Sequence, residues 1–319
     1  MSNYLESLAQ HTVIVADTGN FEAIAAFKPE DATTNPSLVL KAAQLAVYKP
    51  LVAKSLQAAM EKQGNSELFM EYAIDKLSVS IGVEILKVVP GKISTEVDAR
   101  LSFDTARTVE RARKLISLYQ EAGVSKNRIL IKIAATWEGI QACEVLENEG
   151  IHTNMTLIFS LAQAAACAQA KAFLVSPFVG RIMDWHKANE GRDFAPAEDP
   201  GVISVQNIYK YFKKFGHETI VMGASFRSIG EITELCGCDR LTIAPELMKE
   251  LESTPGELTP TLTPTMEVEE SVKVLKLDEK SFRWAMNEDP MATEKLAEGI
   301  RKFAQDLNTL EDFLRKFEE

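Results

Sequence analysis

The sequence lacks most of the features that mark cofactor, metal and nucleic-acid sites. It has four cysteines, Cys143, Cys167, Cys236 and Cys238. None forms a CxxC pair, and "CGC" lacks the two-residue gap of a zinc knuckle. The thiols read as free, as in a reducing cytoplasm. The four histidines, His11, His152, His186 and His217, are scattered, so no metal site is expected. No glycine-rich phosphate loop of the Walker or dinucleotide type occurs. There is no run of basic residues, and the net charge is −11. That balance argues against general nucleic-acid binding, which needs a basic stripe. It leaves room for a small anionic ligand held by two or three local arginines. The opening "MSNYLESLAQH" has no charged-then-apolar signal pattern. The most membrane-like run is "LIFSLAQAAACAQAKAFLV", 157–175. Ser160, Gln163, Gln169 and Lys171 interrupt it and alanine dominates, so a helix packed on a sheet explains it better than a membrane span.

What is present is a regular alternation. Apolar residues make up 46% of the 319 and charged residues 25%, enough for a core of useful size. Short apolar runs that read as strands fall at 12–17, 31–35, 92–97, 128–134, 152–159, 172–177, 218–226 and 240–245. Helical stretches separate most of them, at 38–61, 67–87, 104–121, 137–148, 160–171, 204–213 and 228–236. Strands alternating with helices imply βα units and a parallel sheet. Eight strands favour one closed (β/α)₈ barrel over an open doubly wound sheet, the runner-up. No composition shift marks a second domain, so residues 1–319 read as one barrel domain with extra C-terminal helices. The Pro/Thr-rich 252–265 reads as a surface connector. Beyond it, 289–319 reads as a long amphipathic helix. Its Phe303, Leu307, Leu310 and Leu314 would pack on the barrel exterior or on a partner subunit.

One residue breaks the pattern. In "RILIKIA" Lys132 sits among Ile129, Leu130, Ile131, Ile133 and Ala134. A buried lysine without a partner usually sheds its proton and becomes a nucleophile toward carbonyls. The plainer alternative is a strand-edge lysine whose stem lies on apolar neighbours while its head reaches water. Its rivals are poorly placed. Lys87 ends a helical stretch, where a cation suits the helix dipole, and Lys92 begins a strand, at the non-catalytic end.

Barrel chemistry gathers at the C-terminal ends of strands. There the eight runs present Asp17, then Thr33 and Asn35, Ser94 and Glu96, Lys132, Asn154 and Thr156, Ser176 followed by Phe178 and Arg181, and Ser225 followed by Arg227. Side chains alternate along a strand, so these residues can share an inward face while their apolar neighbours meet the helices. Each also has an ordinary explanation. Asp17 suits a turn, Asn35 before Pro36 suits a helix cap, and Arg181 and Arg227 suit loops. Polar ends on seven of eight strands are harder to explain singly.

The stretches "VADTGNFE", "DATTNPSL", "ISTEVDARLSFD", "ILIKIAATWEGI", "HTNMTLIFS", "SPFVGRI" and "MGASFR" resemble the transaldolases, Schiff-base (β/α)₈ enzymes of the pentose phosphate pathway. The resemblance implies Lys132 as the Schiff-base lysine and Asp17 as the acid/base of carbon–carbon cleavage. It implies that Glu96 and Thr156 hold a water for imine formation. Asn35, Asn154 and Ser176 would bind the hydroxyls of the three-carbon unit, Thr33 and Phe178 would also bind substrate, and Arg181, Ser225 and Arg227 would hold the sugar phosphate. Having Glu96 and Phe178, which simple aldolases of the group replace, favours transfer over plain cleavage. It further implies phosphorylated ketose and aldose partners, no metal or cofactor, a cytoplasmic setting and a homodimer. The rival activities are a Schiff-base aldolase that releases free dihydroxyacetone and a non-catalytic sugar-phosphate-binding barrel.

Overall fold

The structure is a computed structural model and describes residues 2–317. Its centre is a closed barrel of parallel strands. They are β1 (Val13–Asp17), β2 (Asp31–Thr33), β3 (Ile93–Glu96), β4 (Ile129–Ala134), β5 (Thr153–Ile158), β6 (Leu174–Pro177), β7 (Ile220–Gly223) and β8 (Arg240–Ile243). β1 pairs with β8 in parallel, Val15 opposite Thr242, which removes the open-sheet alternative.

The two faces of the barrel strands bury different sets of residues. Val15, Leu130, Leu174 and Met222 form a small apolar cluster of their own inside the barrel. The other strand face joins the helices in one large core that includes Ile14, Ala16, Ile131, Ile133, Met155 and Val175. Two residues further along, the inward positions become Asp17, Lys132 and Ser176. The strand period of two therefore places a polar layer directly above an apolar floor.

The helices start where the sequence supplies caps. Thr136, Ser160 and Ser228 accept backbone N–H bonds at the starts of Trp137–Asn148, Leu161–Gln169 and Ile229–Thr233. The expected helix 38–61 is instead two, Pro36–Ala43 and Lys49–Gln63. Pro50 lacks the N–H a continuous helix would need there, so it sits in the first turn of a new one. Helices Val179–Glu190 and Pro245–Ser253 also occur, outside the helical stretches expected from sequence. The C-terminal segment forms two helices, Glu279–Glu288 and Pro290–Arg315, split at Pro290. The expected helix extends to Glu319, and its last two residues lie outside the described ones. Phe303, Leu307, Leu310 and Leu314 are buried, as their spacing predicts. This helix does not simply cover the barrel exterior. It crosses near the ends of β3 and β5, where Arg100 pairs with Glu311 at 2.8 Å and Gly299 packs on Leu157.

Candidate active site

Many of the polar strand ends converge on one cavity, which Ser94, Glu96, Asn154 and Thr156 do not line. Asp17, Thr33, Asn35, Lys132, Ser176, Phe178, Arg181 and Ser225 all line it. Lys132 is 4% exposed, which rules out the snorkelling strand-edge lysine. Its Nζ lies 3.5 Å from Glu96 Oε2 and donates to the Thr34 carbonyl at 3.4 Å. Register explains the first contact, because Glu96 on β3 is directly opposite Lys132 on β4. Asn154 is opposite Lys132 on the other side.

A chain of hydrogen bonds sets the polar layer. Ser176 Oγ donates to Asn154 Oδ1 at 2.6 Å, and Asn154 Nδ2 donates to Ser94 Oγ at 3.0 Å. Thr33 Oγ1 donates to Asp17 Oδ1 at 3.1 Å and contacts Thr242 Oγ1 at 3.1 Å. Asn35 lines the cavity and also caps its helix, accepting from Leu38 N–H at 2.9 Å. The helix-cap reading of Asn35 is therefore realised, and its side of the cap faces the cavity lining.

Burial controls the two carboxyls. It raises Asp17 above the usual range, against the opposing pull of Lys132 and the Thr33 hydrogen bond. It pushes Glu96 up to about 7, again opposed by Lys132. Buried Glu96 Oε2 and the Thr156 hydroxyl have no hydrogen-bond partner among the described residues. Buried polar atoms of this kind are where a water or a ligand is expected to bond. Thr156 sits at an irregularity in β5, where Leu157 takes φ 56°. Gln163 steadies that bend by donating to the Leu157 and Ala135 carbonyls at 3.0 and 2.9 Å.

The cationic side of the cavity is built after β6 and β7. The Arg181 guanidinium lies 4.9 Å from the centre of the Phe178 ring and 5.6 Å from that of Phe303. It makes no ion pair among the described residues. Burial first, and then the neighbouring Arg227 cation, hold it below the usual arginine range. Arg227 does not line the cavity. Its guanidinium reaches Ser225 Oγ at 3.3 Å and pairs with Asp184 at 2.7 Å. Ser225 ends the strand early, with φ 63° rather than an extended backbone, so the strand expected through 226 stops at Gly223. Gly180 is needed beside this loop. A Cβ there would stand 2.6 Å from Arg227 Cγ and 2.6 Å from the Ser225 carbonyl oxygen.

Sequence reading missed three contributors. Thr242 shares a face of β8 with Arg240 while Leu241 and Ile243 meet the helices, and that parity is a usable signal. Phe303 was assigned only to a helix seam. Asp184 carries no local signal at all, because it meets Arg227 only across 43 residues.

Comparison with known proteins adds to this geometry. A family model described as Transaldolase/Fructose-6-phosphate aldolase matches residues 14–314. A protein of Aliivibrio salmonicida named Transaldolase is 58% identical over 314 residues, 98% of this chain and 99% of its own. Proteins of the same name from Haemophilus ducreyi and Histophilus somni are each 58% identical. They cover 98% of this chain and 98% and 99% of their own lengths.

Proposed function

The chain belongs to the transaldolase/fructose-6-phosphate aldolase family, and from that premise we propose that Lys132 is the Schiff-base nucleophile of a transaldolase site. The reaction moves a three-carbon dihydroxyacetone unit from sedoheptulose 7-phosphate to glyceraldehyde 3-phosphate. The products are erythrose 4-phosphate and fructose 6-phosphate. The observation that carries the residue assignment is Lys132 itself, an amine buried at the floor of a polar cavity with Glu96 at 3.5 Å.

The free amine of Lys132 attacks the ketone carbon of the donor. Glu96, with a water also held by Thr156, relays the protons that let the carbinol lose water and become an iminium. The Thr156 hydroxyl, buried without a hydrogen-bond partner among the described residues, and the closeness of Glu96 to Lys132 support this role. The iminium withdraws electrons from the adjacent carbon–carbon bond. Asp17 takes the proton of the C4 hydroxyl, the C3–C4 electron pair moves into the enamine, and an aldose phosphate leaves. A carboxyl raised above its usual range by burial takes up the proton more readily than an exposed one would. Asn154, Ser176, Asn35 and Thr33 hold the hydroxyls of the three-carbon unit. Arg181, Arg227 and Ser225 hold the phosphate, for which a planar guanidinium offers paired donors.

Transfer rather than release needs an enamine shielded from water until the acceptor arrives. Phe178 supports this. It is 5% exposed, wedged between Phe159 and Arg181 at the cavity. Borohydride reduction with fructose 6-phosphate should add a reduced three-carbon unit to the peptide carrying Lys132, and Lys132→Met should abolish it. A label on Lys87 or Lys92 would overturn the assignment. Adding an aldose acceptor distinguishes the activities, since an aldolase would yield free dihydroxyacetone instead of a longer ketose.

The same proposal takes residues 1–319 as one domain acting in the cytoplasm as a homodimer. No helix of the described residues is long and apolar enough to cross a membrane. Light scattering on the purified protein would test the dimer.

A further inference from the structure

The end of β5 is irregular, and one buried amide holds it. Through Ala134 and Thr156 the strand keeps register with β4, and the Ala135 N–H donates to the Thr156 carbonyl at 2.8 Å. Against β6 the register shifts between Met155 and Ile158. Between those two, Leu157 takes a left-handed backbone, φ 56°, which a bulky side chain rarely adopts. Such a turn takes the chain out of the ladder, and the N–H and C=O groups it frees need other partners when they are buried. Gln163 supplies three bonds. Its Nε2 donates to the Ala135 carbonyl at 2.9 Å and to the Leu157 carbonyl at 3.0 Å. Its Oε1 accepts from the Phe159 N–H at 2.9 Å. The side chain is fully buried.

Local sequence explains how the amide arrives there. "SLAQ", 160–163, is a capping-box pattern, with Ser160 the cap of Leu161–Gln169 and Gln163 three residues on. The serine half is formed, because Ser160 Oγ accepts from the Gln163 N–H at 3.2 Å. In the usual box the glutamine side chain returns to the N–H of the cap residue itself. Here it passes one residue further back, to Phe159, and its amide donors reach the ends of β4 and β5. Two other contacts close the segment. The Phe178 N–H donates to the Ile158 carbonyl at 3.1 Å. The Leu157 side chain seats against Gly299 of Pro290–Arg315, where an added Cβ would stand 2.7 Å from Leu157 Cδ2.

Thr156 is the residue that this fixture aims. It shares a strand face with Asn154, which is directly opposite Lys132. Its hydroxyl is buried and has no hydrogen-bond partner among the described residues, so the backbone beside it sets where it points. We propose that Gln163 is a positioning residue for imine formation: its amide locks the left-handed turn at Leu157 and thereby holds the Thr156 hydroxyl where it binds the water used at Lys132. The inference rests on the reading of Thr156 as a ligand of that water. Without the amide, the Ala135 and Leu157 carbonyls and the Phe159 N–H are left without this partner in a buried place. The strained backbone at Leu157 then relaxes toward the ordinary allowed regions. A changed backbone at 157 displaces the side chain next to it, because successive residues of a strand are turned relative to one another.

A double-mutant cycle on Schiff-base formation tests this, with fructose 6-phosphate as the sugar and rapid borohydride quenching followed by intact mass as the readout. Thr156→Val should slow the adduct by roughly 10–100-fold, the scale of one hydrogen bond to a group that carries charge. Gln163→Met fills the same space without the three bonds. It should slow the adduct by about 5–50-fold, and by no more than Thr156→Val does. The half-saturating sugar concentration should stay within about twofold of wild type, because the phosphate ligands are untouched. Placed on Thr156→Val, Gln163→Met should add less than about a twofold further slowing. Gln163→Glu keeps the acceptor for Phe159 and offers at most one proton where the amide gave two. It should fall between wild type and Gln163→Met, and it carries the test should Gln163→Met not fold. Adduct formation at the wild-type rate in these variants, or equal slowing in the wild-type and Thr156→Val backgrounds, would overturn the inference and leave the reading of Thr156 standing. If Thr156→Val itself forms the adduct at the wild-type rate, the reading of Thr156 fails and the inference with it.

Discussion

Glu96→Gln should make the protein more stable and its chemistry slower, and pH separates the two effects. The carboxyl is raised from 4.5 to about 7 by burial. At ~1.4 kcal/mol per pKa unit, the ionised form costs the fold about 3 kcal/mol. The folded state keeps a proton that the unfolded chain releases above 4.5, so stability falls as pH rises from 4.5 to about 7 and then levels off. Glutamine has no such loss. It also deprives Lys132 of a carboxylate at 3.5 Å, which takes back part of the gain. The variant should therefore be about 1–3 kcal/mol more stable at pH 8 and close to wild type at pH 4.5. Urea melts at four pH values between these limits would measure it. A difference that does not change with pH, or a wild type more stable at pH 8, would refute the buried-carboxyl argument. The same variant should slow imine formation by about 10²–10⁴-fold, the usual contribution of a general base. Rapid quenching with borohydride reads that step directly. Wild-type adduct formation should quicken through pH 7 and the variant's should not. Adduct appearing at the wild-type rate would remove Glu96 from the proton relay.

Asp17→Ala should form the imine but stall before cleavage, so the whole-sugar adduct accumulates on Lys132, and intact mass after quenching would detect it. Accumulation of only the three-carbon adduct would show that cleavage does not depend on Asp17. Arg181→Ala should raise KM for phosphorylated sugars by roughly 10–100-fold, the loss of one charged hydrogen bond, and affect unphosphorylated ketoses much less. Equal losses would mark Arg181 as structural. Gly180→Ala forces a Cβ to within 2.6 Å of Arg227 Cγ, so melting should reveal a loss of about 1–3 kcal/mol together with a raised KM for phosphorylated sugars. A variant unchanged in both would mean that the close approach is not required.

The barrel is legible in the sequence because its signals are local. Eight apolar runs alternate with helical stretches, and side-chain parity along each run divides core from cavity. Parity alone puts Asp17, Lys132 and Ser176 on one face, and Lys132 is conspicuous because five apolar neighbours surround it. Element ends are less legible. Pro36 and Asn35 mark a helix start, but the stop of β7 at Gly223 depends on the left-handed Ser225, which is held by Gly180 N–H at 2.9 Å from another segment. What each polar residue faces is decided by barrel closure. Register sets Glu96 opposite Lys132, and the pairing of β1 with β8 brings Thr242 to the site. The C-terminal helix reads from its spacing as amphipathic, yet nothing in its period says that Phe303 turns into the cavity. Nor can spacing distinguish Arg181, without an ion-pair partner among the described residues and stacked on Phe178, from Arg227, paired with Asp184. Periodicity acts between neighbours in the chain and fixes which face a residue takes. Charge pairing and burial act between neighbours in space, and only the closed barrel determines those.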